Sequence, residues 1–233
     1  MLIKKWEKLP KELQIDEVRP YYEILRKKNF SLFCKRVFDI TVSGIVLLLI
    51  FPFFLIISLA IVIDSRGPVF YRQERVTQYG KLFRIFKFRS MVVGADKKGT
   101  LVTTGNDARV TRVGKFIRKC KIDEMSQLID VFRGTMSFIG TRPEVPKYVN
   151  QYKAEYLATL LLPAGVSSKA SIMFKDENNM LKDAENADDI YIKQILPIKM
   201  KYNLSELKRF GFWHDVKMCF LTIFYVSKSR KDE

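Results

Sequence analysis

The chain has 233 residues, 48% of them apolar, enough for one domain with a real core and too few for two generous ones. Its 41 Lys and Arg against 25 Asp and Glu give a formal charge of +16, which favours polyanionic partners: nucleic acid, anionic lipid or a phosphorylated substrate. A single histidine, His214, leaves little scope for a Ser-His-Asp triad or a histidine-rich metal site. Three separated cysteines, Cys34, Cys120 and Cys219, lack zinc or redox spacing and fit a reduced compartment.

Residues 1–34 are mixed and charged, interrupted by Pro10 and Pro20, and read as an appended helical arm without assigned chemistry. Residues 40–63 carry no charge and are rich in Leu, Ile, Val and Phe. At about 1.5 Å per residue such a helix reaches across the roughly 30 Å of bilayer hydrocarbon. The run starts too far from Met1 for a secretory signal, and no small-residue cleavage site follows it. Arg26, Lys27, Lys28, Lys35 and Arg36 precede it, and Arg66, Arg72, Arg75, Lys81 and Arg84 follow it, so the positive-inside bias assigns both ends to the cytoplasm. Pro52, near the middle, removes a helical donor and leaves the carbonyl of Leu48 in need of another partner. A helix that breaks there and returns to its own side accounts for both features; a Pro-kinked span is the alternative.

Beyond the apolar run, residues 68–71 and the alternating apolar and basic stretch Leu82–Phe88 predict short strands. Apolar spacing predicts helices over 112–121 and 125–133, with Asp123 where an N-cap would fit, and a further helix over 183–202. Residues 207–227 interleave Lys208, Arg209 and Lys217 with six aromatic residues, as in an amphipathic helix lying in a membrane interface; a buried core helix is the equal alternative. His214, beside Trp213, reads as a packing or interfacial residue. The divisions are therefore an arm (1–34), a re-entrant membrane helix (35–64) and a cytoplasmic domain that carries the C-terminal amphipathic stretch (65–233).

Residues 81–122 hold twelve Lys or Arg and only Asp96 and Asp107 as acids, which marks an anion-facing surface. Directly after it stands Asp123-Glu124. An acidic pair at a helix start accepts backbone N–H bonds, coordinates a divalent cation or supplies a nucleophile, and an N-cap followed by a first-turn acid is the plain structural reading. The setting adds weight: Arg118 lies five residues earlier, and Gly140-Thr141-Arg142-Pro143-Glu144 follows the next helix. Arginines there suit bidentate phosphate binding, beside the free amides of a helix start.

Across residues 34–224 the chain resembles the bacterial sugar transferases, monotopic polyprenyl-phosphate phosphoglycosyl transferases. The resemblance rests on Lys35-Arg36-Val37-Phe38-Asp39, Gly67-Pro68-Val69-Phe70-Tyr71-Arg72-Gln73-Glu74-Arg75, Phe86-Lys87-Phe88-Arg89-Ser90-Met91 and Asp107-Ala108-Arg109-Val110-Thr111-Arg112-Val113-Gly114. It continues through Asp123-Glu124 with Gln127-Leu128, Met136-Ser137-Phe138-Ile139-Gly140, Arg142-Pro143-Glu144 and Pro163-Ala164-Gly165-Val166. It implies a re-entrant membrane helix and a small, helix-rich α/β catalytic domain at the cytoplasmic face of a bacterial inner membrane. It implies transfer of a sugar-1-phosphate from a UDP-sugar to polyprenyl phosphate, with Asp123 as nucleophile, a covalent phospho-sugar intermediate and UMP as product. The resemblance further implies that Glu124 supports it, that Mg²⁺ is held by Asp123 and Glu124, and that Arg118, Arg142, Pro143, Lys87, Arg89 and Arg109 bind the donor. Such neutralisation of spread negative charge is what phosphoryl transfer rewards. Membrane lipid is a partner, a homodimer is compatible, and nucleic acid is not expected, since no binding motif for it is present.

The chain departs from the family's usual pattern at Phe51 (Ser before the membrane Pro), Ser126 (Pro), Thr135 (Asp), Thr141 (Pro) and Thr77 (Gly). Thr41, Ser43 and Ser58 are the nearby hydroxyls that would substitute for the missing Ser. A reading of another class is a non-enzymatic basic scaffold on anionic lipid. It explains neither the ordered motifs nor an acidic pair set in a basic segment.

Overall fold

The computed structural model describes residues 2–95, 107–174 and 187–229. After two short 3-10 turns, Trp6–Lys8 and Lys11–Leu13, helix α1 (Arg19–Arg26) leads into α2 (Asn29–Asp64), one 36-residue helix that contains Pro52. The apolar residues of the N-terminal arm are buried: Leu9, Leu13, Val18, Tyr22 and Leu25 form a core with Leu161 and Leu162 and with Leu204, Leu207 and Phe210 near the C-terminus. Lys28 Nζ donates to the carbonyl of Phe210, and Tyr21 Oη donates to Glu155 at 2.5 Å.

The long helix is held at both ends by the body that follows it. At its start Arg36 donates to the carbonyls of Val131 (2.7 Å) and Phe132 (2.9 Å), neutralising the end of a later helix, as cations at helix C-termini do. At its finish Asp64 Oδ2 accepts from the Val113 amide at 2.8 Å. The middle is bare, with Leu48 77% and Leu49 73% exposed. Ser43 and Ser58 each bond a carbonyl four residues back, Asp39 and Phe54, and so neither compensates for the donor lost at Pro52.

Strands β1 (Phe70–Val76) and β2 (Leu82–Phe88) form an antiparallel ribbon, in register from Phe70 opposite Phe88 to Val76 opposite Leu82; β2 has the expected bounds, whereas β1 begins two residues after the start expected at 68 and extends five residues beyond 71. Its apolar face meets the second half of α2: Phe54, Ile57 and Ile61 pack with Phe88, Ile117 and Ile122, and the rings of Phe54 and Phe88 meet edge to face at 4.9 Å. Helix α3 (Arg112–Lys119) starts at Thr111, whose hydroxyl accepts from the Gly114 amide. A Cβ on Gly114 would lie 2.0 Å from the carbonyl oxygen of Ser90, so only glycine lets α3 lie this close to the chain after β2.

The helix expected over 125–133 is split into a 3-10 segment, Ile122–Gln127, and α4 (Leu128–Arg133). Asp123 is not the N-cap. Lys121, in the left-handed region at φ 54, takes that position, and Asp123 sits inside the first 3-10 turn. The tighter winding turns Ile122, Ser126 and Gln127 into the core, and the hydroxyl of Ser126 donates to the Phe86 carbonyl of β2.

Strand β3 (Met136–Ile139) pairs in parallel with β4 (Ala164–Ser167), with α5 (Pro146–Val149) and a 3-10 helix (Ala154–Leu161) between them. After α6 (Lys169–Met173), α7 (Ala187–Ile190) passes through a π turn at Tyr191–Ile195 into α8 (Leu196–Arg209). Of the helix expected over 183–202, residues 183–186 lie outside the described residues. The stretch 207–227 is not one helix: α8 ends at Arg209 and α9 (Phe212–Ser229) begins after Gly211, with Phe210 buried between them. Helix α9 turns Met218 inward and leaves Trp213, Phe220, Ile223 and Phe224 more than 60% exposed. Of the described helices, only α2 is long and apolar enough to cross a membrane.

Candidate active site

One cavity of about 690 Å³ gathers most of the residues singled out above: Lys87, Arg89, Arg109, Arg118, Asp123, Arg142 and Pro143 all line it. Its floor is the β1–β2 ribbon, one wall is α3 with the 3-10 turn, and the other is the loop after β3. That loop exists because the backbones of Gly140 and Gly165 touch. A Cβ on Gly165 would lie 2.2 Å from the Gly140 nitrogen, and the Gly165 amide donates to the carbonyl of Thr141 at 2.9 Å. With the loop pinned there, Arg142 and Pro143 face the acidic pair.

The two carboxylates differ sharply. Glu124 Oε1 accepts from Lys87 Nζ at 3.0 Å and from the Arg142 guanidinium. Against burial, which would raise it, these two cations hold Glu124 down to about 2. Asp123 is half-buried on the cavity wall, and among the described residues its carboxylate accepts no side-chain hydrogen bond. Burial and the neighbouring Glu124 raise its pKa, with Lys87 and Arg118 acting the other way. Of the cations adjacent in sequence, Lys119 and Lys121 are exposed and off the cavity, and Lys87, from β2, acts on the aspartate together with Arg118. An ionised Asp123 is thus the less stabilised and more available of the two anions.

The remaining basic residues divide by role. Arg118 is half-buried on the wall. Arg109 is clamped by Asp107, Nε to Oδ1 at 2.8 Å and Nη2 to Oδ2 at 2.5 Å, and donates to the carbonyl of Ala95. Arg89 is 4% exposed, and its guanidinium donates to the carbonyls of Ile61, Ser65 and Arg66. Although it lines the cavity, it caps the end of α2, so its fixed charge lies at the helix terminus where the dipole favours a cation. Of the basic run, Lys81, Arg84, Arg112 and Lys115 are exposed away from the cavity, and Lys97 and Lys98 lie outside the described residues. His214, half-buried, pairs with Glu206 at 2.6 Å, in keeping with a packing residue.

Two of the departures from the family pattern meet. The Thr77 hydroxyl donates to the carbonyl of Thr135 at 2.6 Å and accepts from the Ala164 amide, so it ties β1 to the β3–β4 pair. Sequence reading missed Asp130, whose Oδ2 accepts from the Phe86 amide and fixes β2 beneath the site. It also missed the cavity wall formed by Glu144, Tyr148, Tyr191 and Lys199. Glu144 stood within a quoted motif, but its partners lie 47 and 55 residues away.

No group of three or more His, Cys, Asp or Glu poised for a metal occurs among the described residues. Two adjacent carboxylates nonetheless fit a hard cation of the Mg²⁺ type, which is commonly held by one or two carboxylates together with substrate phosphate oxygens. Asp123 lines the cavity, and Glu124 has one oxygen that takes no part in its ion pairs.

Comparison with known proteins agrees with this geometry. The family model for bacterial sugar transferase matches residues 30–229. A UDP-glucose:undecaprenyl-phosphate glucose-1-phosphate transferase of Klebsiella pneumoniae is 34% identical over 84% of this chain and 41% of its own length. A UDP-N-acetylgalactosamine-undecaprenyl-phosphate N-acetylgalactosaminephosphotransferase of Aeromonas hydrophila is 37% identical over 82% of this chain and 43% of its own length. A putative undecaprenyl-phosphate N-acetylgalactosaminyl 1-phosphate transferase of Bacillus subtilis is 37% identical over 66% of this chain and 86% of its own length. The chain spans about two fifths of the first two relatives and most of the third. With a match over residues 30–229 and the motif residues gathered around one cavity, the chain belongs to the bacterial sugar transferase family.

Proposed function

We propose that this protein transfers a sugar-1-phosphate from a UDP-sugar to a polyprenyl phosphate at the cytoplasmic face of a bacterial membrane. The observation that carries the reading is the inequality of the two carboxylates: Glu124 is committed to Lys87 and Arg142, while Asp123 faces a cavity rich in cations. In the first step an Asp123 oxygen attacks the phosphorus next to the sugar, and the bridging P–O bond breaks. UMP leaves with the bonding electrons, and an aspartyl phospho-sugar remains. In the second step an oxygen of polyprenyl phosphate attacks the same phosphorus, releases the carboxylate and gives polyprenyl diphospho-sugar. Arg118 and Arg142 orient the phosphates, and Lys87 and Arg142 keep Glu124 ionised beside them. Mg²⁺ held by Asp123 and Glu124 would supply neutralisation of phosphate charge.

The long helix supports a monotopic, re-entrant placement. A straight helix of 36 residues would be about 54 Å long. Yet Arg36 near one end and Asp64 at the other bond one and the same body, while the apolar middle around Leu48 and Leu49 stays bare. A segment crossing to the far side would carry one of these anchors away. Cysteines placed at either flank should therefore be protected together from an impermeant reagent on intact cells; labelling of one flank alone would establish a span.

Activity is tested by incubating purified protein with Mg²⁺, polyprenyl phosphate and UDP-sugars while following UMP. Without the lipid, mass spectrometry should find a phospho-sugar adduct on the peptide containing Asp123. An adduct elsewhere, or UMP release only when the acceptor is present and with no adduct, would favour direct displacement.

A further inference from the structure

Beyond the acidic pair, the cavity has a second polar wall that the proposed chemistry does not use. Glu144, Tyr148, Tyr191 and Lys199 all line it, and each is less than 10% exposed. Tyr191 Oη donates to Glu144 Oε1 at 2.5 Å. Lys199 Nζ donates to Tyr191 Oη at 2.8 Å and to Glu144 Oε1 at 3.3 Å. The ring of Tyr191 stacks on that of Tyr148 at 4.4 Å and 28°. A buried charge pair of this kind is a poor source of stability compared with apolar packing, so its placement on a cavity wall calls for a polar ligand.

We propose that Glu144, Tyr148, Tyr191 and Lys199 form the subsite that reads the hydroxyl groups of the donor's sugar; this rests on the transferase reading above. Three features select the sugar over the other parts of the donor. Glu144 and Lys199 cancel each other's charge, so this wall offers phosphate no net attraction, whereas the neighbouring Arg142, Arg118 and Lys87 do. Arg142 and Glu144 are separated only by Pro143, whose carbonyl accepts from Arg75 Nη1 at 3.0 Å, so the two side chains project from one fixed turn. Two residues of extended chain span about 7 Å, roughly the size of a pyranose ring, and the sugar is the group bonded directly to the phosphate that Asp123 attacks, whereas the nucleoside is one phosphate farther on. Finally, carboxylate, ammonium and phenol together offer both acceptors and donors, the pairing that sugar hydroxyls need, and the tyrosine rings offer a flat apolar surface for the C–H face of the ring.

A site built to hydrogen-bond a hydroxyl discriminates strongly against an analogue that misplaces it. The test uses the full chain in detergent, with calorimetric dissociation constants for UDP, UDP-glucose, UDP-galactose and their 2-acetamido counterparts. Tyr191→Phe keeps the stacked ring and removes one hydroxyl; Glu144→Gln keeps the shape and removes the charge. The wild type should bind one UDP-sugar more tightly than its epimer. Both variants should cut that preference by about tenfold or more and leave UDP affinity within about twofold. If UDP affinity falls in step with UDP-sugar affinity, the wall belongs to the nucleoside and the proposal fails. Unchanged epimer preference in the well-folded Tyr191→Phe protein also overturns it. Both outcomes leave the transferase reading intact, because wild-type UMP release and the Asp123 adduct are scored separately. A wild type that binds no UDP-sugar would remove both.

Discussion

Two clusters of carboxylates and cations sit about the long helix and its body, and they are built differently. In the first, Lys35 Nζ donates to Asp215 Oδ2 at 2.5 Å and to the Ile139 carbonyl at 2.8 Å, while Asp39 accepts from the Phe138 amide at 3.3 Å. Lys35 and Asp39 are both 3% exposed, and the ring of Phe38 covers them against Phe138 and Phe212. In the second, Lys87 and Arg142 share the one carboxylate of Glu124 at the edge of a cavity, and Asp123 is left facing it. A sealed cluster in which each charge has a partner fixes geometry: it locks α2 to β3 and α9. An open cluster with one uncommitted carboxylate is able to do chemistry.

The largest effect should come from the open cluster. Asp123→Asn removes the charge from the oxygen proposed to attack, at a position whose backbone is held by Ile122 and Ser126, both buried. Turnover should fall by about 10³-fold or more with the melting temperature nearly unchanged, as for loss of a nucleophile. Activity within tenfold of wild type would mean that the inequality between Asp123 and Glu124 is not what drives the reaction.

The sealed cluster should answer in the other currency. Lys35→Met strands Asp215 and Asp39 without their cation, and loss of one partner from a buried pair costs about 3–5 kcal/mol. Thermal unfolding in detergent should show the loss, while the fraction that remains folded turns over at nearly the wild-type rate. A destabilisation under about 1 kcal/mol would show that water reaches this cluster too.

Between these lies Arg142→Lys. The ammonium keeps the charge beside Glu124 but cannot present the planar fork to phosphate, so kcat/KM for the donor should drop about 10- to 100-fold. Lys87→Arg should be milder, since a point charge at 3.0 Å from Glu124 is what the site uses there. Equal losses in the two variants would indicate that both cations serve only to hold Glu124.

What the sequence made legible was local. Alternation over Leu82–Phe88 announced the second strand of the ribbon, charge-free residues 40–63 announced the long helix, and the density of Lys and Arg before Asp123 included four of the cavity cations, Lys87, Arg89, Arg109 and Arg118. What it hid was set by partners far along the chain. Arg89 sits in a basic motif like a phosphate ligand, yet its hydrogen bonds run to carbonyls 23 to 28 residues earlier. The arm gave no sign of its role because its burial depends on Leu204, Leu207 and Phe210, near the other terminus. The break at Phe210 was masked by an unbroken aromatic and basic pattern on either side of Gly211.

The smallest expected effect tests how Asp123 is held. Lys121 adopts φ 54 and ψ 25, a left-handed conformation that costs a residue with a Cβ about 1 kcal/mol and costs glycine little. Lys121→Gly relieves that strain but frees the unfolded chain, so the net gain should be a few tenths of a kcal/mol. Lys121→Val, β-branched at the same φ, should instead lose about 1 kcal/mol or more. Turnover should stay within about twofold in the glycine variant, because Lys121 is exposed off the cavity and Asp123 is positioned by buried Ile122 and by the Ser126 hydroxyl on Phe86. If Lys121→Gly keeps its stability and loses activity more than tenfold, while Lys121→Arg restores it, then the charge at 121 reaches the aspartate after all, and the cations of the 3-10 turn belong to the open cluster.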